Sequence, residues 1–320
     1  MAAPESKPPE ILGKSPPIRL LQKRLAAAAA ADAVVLLSGP VGSGKELAAR
    51  VLHNLSARRN GPFVIVPCSA LAPALAESEL FGHEKGAFTG AVTSHAGLAE
   101  RASGGTLLLS EVGELPAAAQ AKLLRFVEDG VVTPLGGEPR RVDARLVAST
   151  SKDLAALVRA GSFREDLYYR LRVLRIDVPP LAERGEDVLL LAEHFLDIFA
   201  AELGRQRPRL DGGAREALLS YPWPGNVREL ANVLRSALVF GRGESLSAAD
   251  LELPRSSAAA PCGGRPAGLR AVVARVVRET EEAMIREALA RSAGNRTRAA
   301  RELGLTRRGL QLKMRRYGIR

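Results

Sequence analysis

Gly39, Gly44 and Lys45 stand in the stretch LLSGPVGSGKEL with the spacing G-x-x-x-x-G-K. Glycines permit the dihedrals that aim successive backbone N–H groups into one concavity, and a lysine beside it brings positive charge to β- and γ-phosphates. The stretch follows a strand-like run and opens a helical pattern. The residues Gly39, Pro40, Val41, Gly42, Ser43, Gly44, Lys45 and Glu46 therefore read as a phosphate cradle at a helix N-terminus. Glu46 stands where a hydroxyl normally touches Mg2+. A plain glycine-rich turn between strand and helix is the bland alternative.

A second chemical position follows the apolar run Thr106 to Leu109, which ends in Ser110-Glu111. A nucleotide hydrolase needs two carboxylates there, one for hydrated Mg2+ and one to polarise the attacking water. Glu111 can be the water-orienting base, whereas Ser110 lacks the charge for a firm metal site, and no residue is assigned as a metal ligand. Glu111 could instead merely cap the next turn.

Holding these groups requires a sheet. Val34 to Ser38, Phe63 to Val66, Thr106 to Leu109 and Arg145 to Ser149 are short apolar runs bounded by turn or polar residues, alternating with helical patterns. That is the form of an α/β parallel sheet. From about Gly185 to Leu253 strand signals give way to helical periodicity, as in Asp187 to Ala200 and Val227 to Phe240, which predicts an all-helical lid. The stretch PRSSAAAPCGGRPAG, residues 254–268, reads as a linker, and helical spacing resumes beyond it.

The 320 residues, 46% hydrophobic, suffice for a substantial core in two or three units. No secretory signal opens the chain, no apolar run spans a membrane, and the two cysteines form no metal-ligand spacing, so a cytoplasmic protein is expected. The net charge is +11, and roughly +10 of it sits between Arg265 and Arg320, with roughly 15 Arg and Lys against 5 acids. A near-neutral body with a basic end module points to a polyanion.

That module contains NRTRAARELGLTRRGLQLKMRRYGI, two short helices joined at Leu303-Gly-Leu305, with Asn295 or Thr297 able to cap the first and Thr306 the second. Ala299, Ala300, Leu303, Leu305, Leu310 and Met314 supply contacts between them. This is a helix-turn-helix pattern for double-stranded DNA. Thr306, Arg307, Arg308, Gln311, Lys313, Arg315 and Arg316 form the expected DNA face. Arg307, Arg308 and Gln311 are placed to read bases, and Lys313, Arg315 and Arg316 to hold phosphates. The preceding helix, residues 271–292, is expected to pair with its copy, making the target a two-fold-symmetric site.

One stretch fits neither sheet nor helix: ELFGHEKGAFTGAV sets Phe88 and Thr89 within a Gly/Ala-rich loop. Taken alone, such a Phe reads as a plug folded onto its own domain. The run ESELFGHEKGAFTGA, followed in order by GGTLLLSEVGELP, FREDLYYRL, VPPLAERGEDV and YPWPGNVREL, resembles the AAA+ activators of sigma-54 RNA polymerase, the bacterial enhancer-binding proteins. The resemblance covers nearly the whole chain and includes the Fis-type DNA-binding end.

The resemblance implies that Gly86, Ala87, Phe88, Thr89, Gly90 and Ala91 form a loop tip that contacts sigma-54 when the nucleotide state raises it. Arg164 and Arg170 look like arginine fingers for ATP bound in the neighbouring subunit of a homo-oligomeric ring, a hexamer in this family. Arg228 looks like the lid sensor of the γ-phosphate. Three positions depart from the family pattern: Ser110 replaces the magnesium-binding Asp, Pro67 an Asn that restrains the catalytic Glu, and Ser151 a sensor Asn.

The expected architecture is a disordered start at residues 1–10, an AAA+ α/β subdomain at 11–184, a helical lid at 185–253, a linker at 254–268 and an all-α helix-turn-helix domain at 269–320. With about ten residues ahead of the ATPase part, no receiver or ligand-sensing domain is expected. The expected function is an ATP- and Mg2+-dependent activator, catalytic through Glu111, Arg164 and Arg170, that remodels the sigma-54 RNA polymerase closed complex. The alternatives are a DNA-bound regulator or repressor with impaired hydrolysis, and a different AAA+ machine such as a helicase loader or chelatase.

Overall fold

The computed structural model describes residues 10–253 apart from residue 242, together with residues 285, 288–289, 291–292, 295–302, 305, 307, 309–311 and 314. The chain divides into two compact units, Met1–Pro254 and Arg255–Arg320. The expected disordered start, the linker at 254–268 and most of the helix at 271–292 lie outside the described residues.

In the first unit the order is α1 (Pro16–Ala30), β1 (Val35–Ser38), α2 (Lys45–Leu55), β2 (Phe63–Pro67), α3 (Ala76–Phe81), β3 (Gly82–His83), β4 (His95–Ala96), α4 (Leu98–Arg101), β5 (Thr106–Ser110) and α5 (Ala117–Asp129). There follow β6 (Val131–Val132), β7 (Arg140–Arg141), β8 (Arg145–Thr150), α6 (Leu154–Arg159), α7 (Glu165–Leu171) and β9 (Leu174–Asp177). The lid comprises α8 (Asp187–Glu202), β10 (Arg209–Leu210), α9 (Gly212–Ser220), α10 (Asn226–Phe240) and β11 (Ser245–Leu246).

The main sheet is parallel, in the order β2-β5-β8-β1-β9. Period-two alternation sends its side chains to opposite cores. Leu36, Leu107, Leu109, Leu146 and Ala148 pack with Phe81, Leu123, Phe126 and Leu167. Val35, Leu37, Leu108 and Val147 pack on the other face with Ile18, Leu25 and Leu52 of α1 and α2. Burial on both faces is why the central strands are continuously apolar in sequence.

Strand β9 was absent from the four expected strands. It is an edge strand covered on one side: Ile176 is buried, while Arg175 and Asp177 face outward and pair at 2.9 Å. Its pattern therefore alternates with charge instead of running apolar. The lid also departs from the all-helical expectation, because β10 and β11 form a two-residue parallel pair. The lid core gathers Trp223, Leu196, Leu218, Leu230 and Leu234. The Trp223 indole N–H donates to Leu218 O at 2.9 Å.

One contact ties the lid segment to the start of the domain, and another ties the far end of α1 to the sheet. The buried Asp187 carboxylate accepts from the Lys14 and Ser15 N–H groups ahead of α1, and Arg145 on β8 donates to Ala28 O at the far end of that helix. Backbone groups at both ends of α1 are thus met by side chains from elsewhere. Among the described residues no helix is long and apolar enough to cross a membrane.

In the second unit α11 (Arg296–Glu302) is capped by Asn295, whose Oδ1 accepts from the Thr297 and Arg298 N–H groups at 3.1 and 3.2 Å. Of the two expected caps, Asn295 takes the role. Ile285, Ala288, Ala299, Ala300, Leu310 and Met314 form a small core, with Leu305 half-buried against it.

Candidate functional site

The phosphate loop joins β1 to α2. Its Gly39 N–H donates to Thr150 O at 3.2 Å, which fixes the loop to the end of β8. Gly42 and Gly44 have φ values of 76° and 101°, a region side-chain-bearing residues rarely enter. The N-cap of α2, Gly44, supplies no side chain, so the first-turn N–H groups have no capping side-chain oxygen from it. Ser43 Oγ is buried with no hydrogen-bond partner, and the space beside Gly44 is open. Uncapped donors, an unpartnered hydroxyl and the positive end of a helix dipole fit an anionic phosphate.

Lys45 Nζ is buried at this loop. It donates to Gly39 O at 2.8 Å and Pro40 O at 3.2 Å and pairs with Glu111 Oε1 at 3.1 Å. Glu111 follows β5 in the left-handed region (φ 57°, ψ 53°), a strained conformation for a non-glycine residue and one often kept at functional sites. Its other oxygen accepts from both the N–H and the hydroxyl of Ser151, each at 2.7 Å. Burial alone would raise the Glu111 pKa. The Ser151 donors and Lys45 outweigh it and hold the carboxyl below its ordinary range.

Ser110 lies opposite Pro67 in the β2–β5 register. Pro67 is exposed and offers no donor, so the restraint on Glu111 comes instead from Ser151, across the sheet on the β8 side. Glu46 is turned along its own helix, where Arg50 donates to it at 3.1 and 3.3 Å.

The other expected site residues are dispersed. Arg164 is exposed and binds Asp166 at 2.7 Å, and Arg170 is exposed and binds Glu128 at 2.9 Å. Arg228 is exposed on the first turn of α10, its Cβ lying 3.2 Å from where a Cβ on Gly42 would stand. Sequence reasoning passed over two buried residues beside the loop. Arg184 donates to Ser43 O at 2.5 Å and Pro179 O at 2.8 Å; burial pulls its pKa down to about 10 against the pull of Asp187. Asn226 donates to Val41 O at 2.9 Å. Both stand in motifs already noted, VPPLAERGEDV and YPWPGNVREL, but nothing in the sequence signals their burial.

An apolar cavity of about 120 Å³ opens beside Ser43 and Gly44, lined by Ile11, Leu12, Leu47, Leu191, Phe195 and Val227. It suits a flat ring held next to the phosphates. A larger, more polar groove of about 790 Å³ passes Gly39 and Ser151 and runs along the end of β9 by Arg172 and Arg175.

The Phe88 loop rises from the β3–β4 pair. Gly86 and Gly90 have φ values of 84° and 105°, and Gly86 N–H donates to Ala91 O at 2.9 Å, closing the tip. Phe88 is 40% exposed and leans edge-on against His83, with ring centroids 5.0 Å apart. It is neither a buried plug nor a free tip. Thr89 is exposed beside it. In the second unit Arg307 and Gln311 are exposed on helix, whereas Thr306, Arg308, Lys313, Arg315 and Arg316 lie outside the described residues.

A parallel sheet bearing a phosphate loop, an acidic residue at the end of the adjoining strand, a mainly helical lid and a further helical unit define a P-loop nucleotide-binding protein of the AAA+ class. Residues 11–177 match the Sigma-54 interaction domain, 182–261 the AAA+ ATPase lid domain, and 276–317 the bacterial regulatory protein, Fis family. The chain belongs to the sigma-54-dependent transcriptional activators. It is 46% identical over 318 residues to the regulatory protein AtoC of Escherichia coli K12, covering 97% of this chain and 68% of that protein. It is 44% identical over 314 residues to the nitrogen fixation protein AnfA of Azotobacter vinelandii, covering 98% of this chain and 58% of that one. The NtrX structure from Brucella abortus in complex with ATP superposes with a TM-score of 0.75 at 33% identity, covering 97% of this chain and 69% of that one. The chain thus spans between 58 and 69% of the length of these relatives.

Proposed function

We propose that this chain binds ATP between the phosphate loop and the lid, hydrolyses it slowly, and uses the cycle to drive the Phe88-Thr89 loop against sigma-54 RNA polymerase, converting a closed promoter complex to an open one. The observation that carries the nucleotide reading is the convergence of Lys45 and Glu111, 3.1 Å apart, at a loop with an unpartnered buried Ser43 hydroxyl. The apolar cavity beside Gly44 would take the base. The ATP complex of NtrX, at 33% identity, supports the assignment.

Lys45 neutralises β- and γ-phosphate charge, and Glu111 accepts the proton of the attacking water as the bond to the bridging oxygen breaks, giving ADP and phosphate. Mg2+ carried with the nucleotide would screen the phosphate oxygens, and Ser110 would offer it a neutral oxygen where a carboxylate would serve better. Slow turnover follows from that missing charge and from the engagement of both Glu111 oxygens in the state described here. Arg164 and Arg170, exposed on one subunit, would serve ATP held by the next subunit of a hexameric ring, and Arg228 would read the γ-phosphate. Residues 269–320 would bind a two-fold-symmetric upstream DNA site, after an α/β subdomain at 11–184, a lid at 185–253 and a linker at 254–268.

Steady-state phosphate release with Mg-ATP across a protein concentration series, beside Glu111→Ala and Ser110→Asp, tests this. Cooperative release that vanishes in Glu111→Ala supports a ring-dependent motor. Wild-type release equal to Glu111→Ala, with gain in Ser110→Asp, turns the reading to a nucleotide-binding regulator or repressor.

A further inference from the structure

A phosphate cradle requires inward N–H groups. Because a trans peptide points its C=O opposite to its N–H, the carbonyls of Val41, Gly42 and Ser43 must turn outward when the N–H groups of Gly42, Ser43 and Gly44 turn in. Outward carbonyls in a half-buried loop need donors, or the peptides are free to flip.

Here each of the three meets a donor from the lid or from the segment that leads into it. Asn226 Nδ2 donates to Val41 O at 2.9 Å, the Val227 N–H to Gly42 O at 3.0 Å, and Arg184 Nη2 to Ser43 O at 2.5 Å. The Val227 donor is one that a helix N-terminus leaves without an internal partner. Asn226 is buried, lies in the left-handed region (φ 54°), and uses Oδ1 to accept the Leu181 N–H at 2.8 Å. Its amide therefore joins the loop, the sheet-to-lid junction and α10. Arg184 likewise joins the loop to Pro179 at the end of β9. A Cβ on Gly42 would stand 2.2 Å from Gly225 O, so the two backbones meet without room for a side chain.

We infer that Asn226 and Arg184 are positioning residues that set the peptide planes of the phosphate loop from behind, so that the loop and the lid helix carrying Arg228 respond to nucleotide as one unit. The inference rests on the nucleotide-binding reading for its consequence and on the hydrogen bonds alone for its geometry. It assigns a role to the lid face that touches no phosphate. An asparagine is suited to it because one amide accepts and donates at once.

The experiment uses the full chain and Asn226→Asp, which retains the acceptor for Leu181 and sets a carboxylate against Val41 O. Folding is checked by circular dichroism and by the unfolding midpoint without nucleotide. Fluorescent mant-ADP binding is expected to weaken tenfold or more in the folded variant. Amide hydrogen exchange is expected to show ADP protecting residues 226–240 in the wild type and not in the variant. A smaller loss of affinity, or lid protection equal to wild type, overturns the inference. If the wild type does not bind mant-ADP, the nucleotide reading fails by itself. The clasp is then judged without nucleotide: faster exchange of residues 42–44 in Asn226→Asp supports it, and unchanged exchange overturns it. Should that variant not fold, Arg184→Lys, which keeps the charge but loses the forked reach to Ser43 and Pro179, carries the same expectations.

Discussion

Glu111 Oε2 accepts two hydrogen bonds from Ser151, one from its N–H and one from its hydroxyl, both at 2.7 Å. With Lys45 on Oε1, both carboxylate oxygens are engaged. A group meant to take a proton from water must shed some of these bonds first, so Ser151 restrains the proposed base.

Ser151→Ala removes one of those bonds and keeps the backbone one. The folded Glu111 pKa lies below its ordinary value, so the stabilisation it contributes is present above the ordinary carboxylate range and is lost as pH falls through the folded value. The variant raises the folded value toward the ordinary one. The acid limbs of phosphate release and of thermal stability are both expected to move to higher pH, read from rate and unfolding midpoint against pH. Unmoved limbs would remove Ser151 from the site.

Ser110→Asp restores a carboxylate where the metal-bearing nucleotide would sit. A gain of about 1.4 kcal/mol in transition-state stabilisation is about tenfold in rate, and a rise of at least that size is expected in phosphate release at saturating ATP. An unchanged rate would mean that Ser110 does not limit turnover.

Phe88→Ala alters a half-exposed ring that leans on His83. Mant-ADP binding and basal phosphate release should stay within about twofold of wild type, while open-complex formation on a sigma-54 promoter is lost. Equal loss of nucleotide turnover would show that the ring serves the fold.

Asp187→Ala strips the acceptor from the Lys14 and Ser15 N–H groups and leaves buried Arg184 without its nearby acid. Hydrogen bonds to a charged group suggest a loss of about 2 kcal/mol, measured by urea unfolding. A change under about 0.5 kcal/mol would assign the contact to the surface class.

Arg307→Ala and Gln311→Ala address the exposed face of the second unit. Each is expected to weaken binding to the cognate duplex by about 1–3 kcal/mol and to relax base preference at one position, measured by titration against competitor DNA at fixed salt. A uniform loss across all sequences would make them phosphate contacts.

Much was legible because it is local. The central strands announced themselves as apolar runs because both faces of the sheet are covered, and the phosphate loop did so through glycines whose dihedrals the turn requires. Edge strand β9 escaped because one covered face gives it a mixed pattern, and the β10–β11 pair because two residues carry no period. Three departures near the catalytic position read in sequence as subtractions. In the folded chain Ser151 is an addition, since its donors reach the carboxylate that Pro67 cannot.

By itself the sequence determined the α/β order, the lysine-bearing loop, the Phe88 segment and the basic end, because each is read from runs, spacings or charges of residues near one another in the chain and follows from backbone and side-chain chemistry at short range. The tertiary structure decided what holds those parts in working relation. Ser151 meets Glu111 across 40 positions, Arg184 meets Ser43 across 141 and Asn226 meets Val41 across 185. Such pairs are set by how strands stack and where the lid closes, and a hydrogen bond leaves no period or spacing in the chain to announce it.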